Sequence, residues 1–109
     1  MNNFIDAFTS VMAVAHSISV DKGFWENDPS TAEKIALIHS ELSEGLEADR
    51  LGNPPDDKIP EFSGLEAELA DAVIRIMDLA AKRDLRLAEA IVAKIKYNAG
   101  RPYKHGKEY

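Results

Sequence analysis

The chain has 109 residues, 45% hydrophobic and 29% charged, which suits one domain with one core. It contains no Cys, so disulfides, thiolate metal sites and cysteine nucleophiles are excluded. The formal charge of −6 is split: five basic residues against Glu108 give +4 from Ala90 onward, leaving −10 for the first 89 residues, which argues against bulk nucleic-acid binding. No apolar run reaches the length of a membrane span and no basic-then-apolar leader is present, so a cytoplasmic protein is expected.

Phe4, Phe8, Val11, Ala15 and Ile18 recur at helical spacing and predict a first helix from about Asn3 to Val20, with Asn3 as its cap. Met12 and His16 fall at the edge of that stripe. A loop from Asp21 to Pro29 carries Trp25, the single Trp. Ser30-Thr31-Ala32-Glu33 has the form of a capping box and starts a second helix, whose stripe Ile35, Ile38, Leu42 and Leu46 is expected to be buried. Glu41 and Glu44 then point away from it, beside Leu37 and Ala48, and an apolar residue next to carboxylates implies that both sides of the helix are covered.

Pro54, Pro55, Pro60 and paired Asp residues make Leu51 to Phe62 a loop. Ser63-Gly64-Leu65-Glu66 is a second capping box, which gives Glu66 a structural task and opens a third helix. Leu65, Leu69, Val73, Ile76 and Ala80 form its stripe, widened by Ala67, Ala70 and Ile74 beyond the usual arc of about 100°. Its polar stripe is Glu68, Asp71, Arg75, Asp78 and Lys82. In a fourth helix, capped by Asp84, Leu87, Ala88, Ile91, Val92 and Ile95 are expected inside; Gly100 and Pro102 end it. Lys94, Asn98 and Arg101 share one face if the helix reaches that far, and a basic tail covers about 102–109. Four helices without a credible strand predict an all-α fold in a single domain, 1–109.

Glu41-Leu42-Ser43-Glu44 and Glu68-Leu69-Ala70-Asp71 each place two carboxylates three residues apart, neighbours on one helical face. Converging carboxylates repel, so they either stay apart in water or hold a cation between them. Hard divalent cations such as Mg²⁺ and Mn²⁺ take oxygen ligands of this kind and leave positions for phosphate oxygens. Exposed acidic pairs are also ordinary on solvated helices, and spacing alone leaves both alternatives open.

The order ExxE, a gap of 23 residues and ExxD resembles the all-α nucleoside triphosphate pyrophosphohydrolases of the MazG type. The resemblance runs through Ala36-Leu37-Ile38-His39-Ser40-Glu41-Leu42-Ser43-Glu44 and Glu68-Leu69-Ala70-Asp71-Ala72-Val73-Ile74-Arg75. It continues in the end of the chain, Lys94-Ile95-Lys96-Tyr97-Asn98-Ala99-Gly100-Arg101-Pro102-Tyr103-Lys104-His105-Gly106-Lys107. Ser40 stands where the family's first motif often has an additional Glu.

The resemblance implies a four-helix MazG-like bundle assembled as a homo-oligomer, a dimer or dimer of dimers. It also implies cleavage of (d)NTP to (d)NMP and pyrophosphate, with Mg²⁺, or Mn²⁺ as substitute, on Glu41, Glu44, Glu68 and Asp71. Lys94, Asn98 and Arg101 would then contact phosphates or sugar. His16 and Trp25 match a His and a Trp that contact the base in dCTP pyrophosphatase relatives. His39 reads as a packed or partly exposed side chain, and His105 has no assigned task. Two readings compete: a non-enzymatic acidic helical interaction module, and a phosphoribosyl-ATP pyrophosphatase of the same superfamily.

Overall fold

The computed structural model describes residues 1–108; Tyr109, the last residue of the expected basic tail, lies outside them. Four helices follow one another as α1 (Asn2–Asp21), α2 (Thr31–Arg50), α3 (Gly64–Lys82) and α4 (Leu87–Ala99), with a short 3₁₀ turn at Tyr103–Gly106. No strand occurs among the described residues, only an isolated bridge between Pro55 and Ser63. No described helix is long and apolar enough to cross a membrane.

Both capping boxes form. The Ser30 hydroxyl accepts from the Glu33 backbone N–H and the Ser63 hydroxyl from that of Glu66, each at 3.1 Å, while the two glutamates accept in return from the cap N–H groups. Each box is worth about 1 kcal/mol of helix stability. They fix where α2 and α3 start, and therefore which residues face each other. Gly64 opens α3 against the last turns of α2, where a Cβ would come within 3.1 Å of the Ala48 Cβ. The connecting loop folds back through Gly64 N–H to the Pro54 carbonyl (2.7 Å) and Leu65 N–H to Asn53 Oδ1 (2.8 Å).

Two expected caps are corrected. At α1 the cap position belongs to Met1, with no side-chain hydrogen bond, and Asn3 lies inside the helix. Asp84 does not cap α4 either. It sits at φ 56° in the turn from α3, a left-handed conformation Asp tolerates, and Arg86 occupies the cap position.

The core lies between α1 and the second half of α3. Met12, Met77 and Ala80 are buried there, with Phe8, Ala15, Ala81 and Leu87 packed around them, so Met12 is central rather than peripheral. Along its length α3 also packs antiparallel on α2, from Gly64 beside Ala48 through Arg75 on Glu41 to Arg83 on Thr31, and α4 rests mainly on α1.

The orientation of α2 and α3 is the main departure from the sequence pattern. Leu42 and Leu46 are 50% and 52% exposed, and Leu69 and Val73 47% and 45%, although their stripes were expected inside. Ile35, Ile76 and, on the other two helices, Val11, Ile18 and Ile95 are exposed as well. Facing inward on α2 are Lys34, Glu41 and Gly45. The physical reason is that α3 meets the acidic side of α2, leaving the apolar sides turned out. The chain exposes 8119 Å², against roughly 6,000 Å² for a compact monomer of its 12.0 kDa mass. Its radius of gyration, 16.1 Å, likewise exceeds the approximately 13 Å of a compact domain this long.

Candidate functional site

Glu41 and Glu44 leave α2 on the side that faces α3, and Glu68 leaves α3 toward them. One carboxylate oxygen from each of the three lies within 4.8 Å of the others. Gly45 lies in this contact, where a Cβ would sit at ordinary van der Waals distance, 3.5 Å, from the Glu68 Cβ. Asp71, one turn beyond Glu68, is exposed and stands outside this triad.

The electrostatics of the three carboxylates differ. Burial acts to raise the Glu41 carboxyl, but the hydrogen bond from Arg75, reinforced by those shared with Glu68 and Glu44, outweighs it and leaves the pKa below the usual value. Arg75 Nε donates to Glu41 Oε1 at 2.7 Å. Glu68 is pushed up to about 7, first by burial and then by hydrogen bonding and repulsion from Glu41 and Glu44. Its Oε2 is buried without a hydrogen-bond partner among the described residues. Asp71, although exposed, is also raised, by partial desolvation and by the Glu41 charge. An orphaned buried carboxylate oxygen among carboxylates fits a hard cation, which, like a proton on Glu68, removes both the repulsion and the missing partner.

Glu41 also borders a groove of ≈ 240 Å³ that runs between α1 and α3. Asp71, Arg75 and Asp78 line it from α3, and Ala15, Ile18 and Ser19 from α1, with Phe24 and Ile74 adding apolar surface. With carboxylates toward both ends, Arg75 beside Glu41 and apolar side chains along its walls, it has the chemistry for a ligand with a charged head and a flat or greasy body.

Asp78 forms the other end. Its Oδ1 lies 2.7 Å from His16 Nδ1 and accepts from Trp25 Nε1 at 2.9 Å, while Oδ2 accepts from Ser19 Oγ at 2.7 Å. The Trp25 ring is flanked by cations, with Lys34 Nζ 4.2 Å from its centroid and Lys82 and Arg83 beyond 5 Å. Lys34 is itself buried and donates to the Phe24 carbonyl at 2.8 Å. His16 and Trp25 therefore do not border the groove themselves; both reach it through Asp78.

Lys94 and Asn98 project from α4, and Arg101 from the turn beyond it. Lys94 and Arg101 gather over the Tyr97 ring, at 5.3 and 5.5 Å. None of the three borders the groove of its own chain. His39 is exposed on α2, and His105 lies in the terminal turn. Ser40 donates to the Leu37 carbonyl of its own helix at 2.6 Å.

Arg75 and Asp78 were visible in the sequence only as members of a polar stripe. Arg75, four residues after Asp71, has the spacing of an intrahelical pair, and nothing local signals its bond to α2. The partners of Asp78 lie 53 to 62 residues away.

Compared with family models, curated proteins and solved structures, the chain matches none.

Proposed function

We propose that the protein is a divalent-cation-dependent nucleoside triphosphate pyrophosphohydrolase of the MazG type, acting in the cytoplasm to clear (d)NTPs from the nucleotide pool. The observation that carries this reading is the convergence of Glu41, Glu44 and Glu68 around an unpartnered Glu68 Oε2, with Glu41 also bordering a groove with apolar walls. Glu41, Glu44 and Glu68 hold the cation, and Asp71 joins them from the next turn of α3. When bound, Mg²⁺ offsets phosphate charge and makes water more acidic. A carboxylate oxygen of the cluster takes the proton from the attacking water. Water adds across the α–β phosphoanhydride, giving (d)NMP and pyrophosphate. The nucleoside lies along Ile18, Phe24 and Ile74, and His16 and Trp25 act on it through Asp78.

In this reading the protein works as a homo-oligomer. The excess exposed area and the outward faces of Leu42, Leu46, Leu69 and Val73 suit burial against a second copy. Lys94, Asn98 and Arg101, remote from their own groove, then serve the phosphates in the groove of another copy. Light scattering is expected to give a multiple of 12.0 kDa; a single-chain mass would remove this part of the reading.

The chemistry is tested by incubating the protein with each canonical and several modified triphosphates plus Mg²⁺ and resolving the products. Monophosphate and pyrophosphate are expected. Orthophosphate with a diphosphate would contradict the bond assigned, and no turnover of any nucleotide would favour an acidic interaction module.

A further inference from the structure

We propose that Arg75 is an internal counter-ion, which offsets the charge of Glu41 while no metal is bound and passes to a phosphate of the ligand once a divalent cation has entered; this rests on the metal-dependent reading above. Arg75 is the one cationic side chain that borders the groove among the described residues. Its Nε is spent on Glu41 Oε1, across from α3 to α2, rather than on Asp71 one turn back on its own helix. The two terminal nitrogens of the guanidinium have no protein acceptor within hydrogen-bond distance among the described residues, and the side chain is 31% exposed.

Five N–H donors in a rigid fork make a guanidinium a two-pronged binder of phosphate. Here one prong points into the cluster, and the unused edge is available to the groove. Arg75 and an entering cation compete for the same carboxylate, since Glu41 belongs to both the convergent triad and the ion pair. When a cation takes over the charge of Glu41, the attraction that holds Arg75 on α2 weakens. A phosphate arriving in the groove then supplies the replacement anion. The group recognised is a di- or polyphosphate, for which inorganic pyrophosphate is the simplest probe.

The two halves of the proposal predict effects of opposite sign, which a merely structural role does not produce. Mn²⁺ is titrated onto the protein without nucleotide, at about pH 8, above the Glu68 value of about 7. Arg75→Gln is expected to bind Mn²⁺ about 3- to 5-fold tighter than wild type, because a competing ion pair is gone. Pyrophosphate is then titrated onto the Mn²⁺-loaded proteins, and R75Q is expected to bind it about 10-fold more weakly or worse. Arg75→Lys keeps the charge but loses the fork, and falls between the two.

If R75Q weakens both affinities, or leaves pyrophosphate binding unchanged, the proposal is overturned. If R75Q does not fold, R75K decides: pyrophosphate affinity equal to wild type overturns it. Failure of wild type to bind Mn²⁺ at all overturns the metal reading itself and this proposal with it, whereas normal Mn²⁺ binding with the wrong sign in R75Q overturns the role of Arg75 alone.

Discussion

Glu68 and Asp78 are two poorly exposed carboxylates ten residues apart on α3, and the chain treats them in opposite ways. Asp78 is surrounded by groups that suit an anion: His16, Ser19 and Trp25 all lie within 2.9 Å of its oxygens. Glu68 faces two further carboxylates, and its Oε2 has no partner among the described residues. Desolvating either costs free energy. At Asp78 the fold itself offsets that cost through three hydrogen bonds, so the site is complete as folded. At Glu68 the cost is left standing, to be removed by a proton or by a cation from outside. A satisfied buried carboxylate signals architecture; an unsatisfied one beside other carboxylates signals a ligand.

The largest effect expected from this contrast is structural. Asp78→Ala strips a shared acceptor from three donors, at a cost of about 3 kcal/mol. That corresponds to a fall in Tm of roughly 10–20 °C for a domain of this size. Trp25, the single Trp, reports the change as a red shift of its emission. A Tm within about 3 °C of wild type would break the contrast, since Asp78 would then be no better anchored than Glu68.

Glu68→Gln is expected to behave in the reverse manner. The folded pKa of Glu68 is raised to about 7 from an ordinary 4.5, so the folded state holds a proton that the unfolded chain gives up. Its contribution is fully present below the ordinary value and is lost as pH rises through about 7. The amide copies the protonated carboxyl, so the variant and wild type match near pH 4, and the variant becomes the more stable by a few degrees above pH 7. On the proposed metal-dependent reading, turnover of triphosphates is expected to fall about 100-fold or more through loss of a cation ligand. Added Mg²⁺ raises the Tm of wild type and not of the variant. A pH-independent difference in Tm would place Glu68 among ordinary surface glutamates.

Legibility in the sequence followed the range of the interactions. The capping boxes at Ser30 and Ser63 act over three residues, and both were readable as written. Helix number followed from them and from periodicity. Periodicity did not say which face of α2 meets its own chain. Leu42 and Leu46 form as regular a stripe as any buried one, yet they are exposed, while Glu41 one step round the helix is buried. A stripe left exposed on its own chain and one packed in the core have the same spacing, so the pattern carried the wrong inward face. At the site, the acidic words located three convergent carboxylates, with Asp71 one turn further along α3. Arg75 and Asp78 depend on partners on other elements and left no local mark.

The smallest effect sharpens the contrast, because Glu66 and Glu68 lie two residues apart and titrate with opposite consequences. Glu66 accepts from the Ser63 backbone N–H at 3.0 Å, and that bond, with the one to the Ser63 side chain, holds its carboxyl below the usual range. Its contribution is present above the ordinary carboxylate value and fades as pH falls through the lowered one, the inverse of Glu68. Ser63→Ala removes one side of the capping box and is expected to cost about 1 kcal/mol. If the triad is set by the packing of α2 on α3, the rise in stability of Glu68→Gln above pH 7 is the same with or without Ser63, measured as Tm in the single and double variants. A rise that disappears in the double variant would mean that the first turn of α3, not the helix pair, holds Glu68 against Glu41 and Glu44.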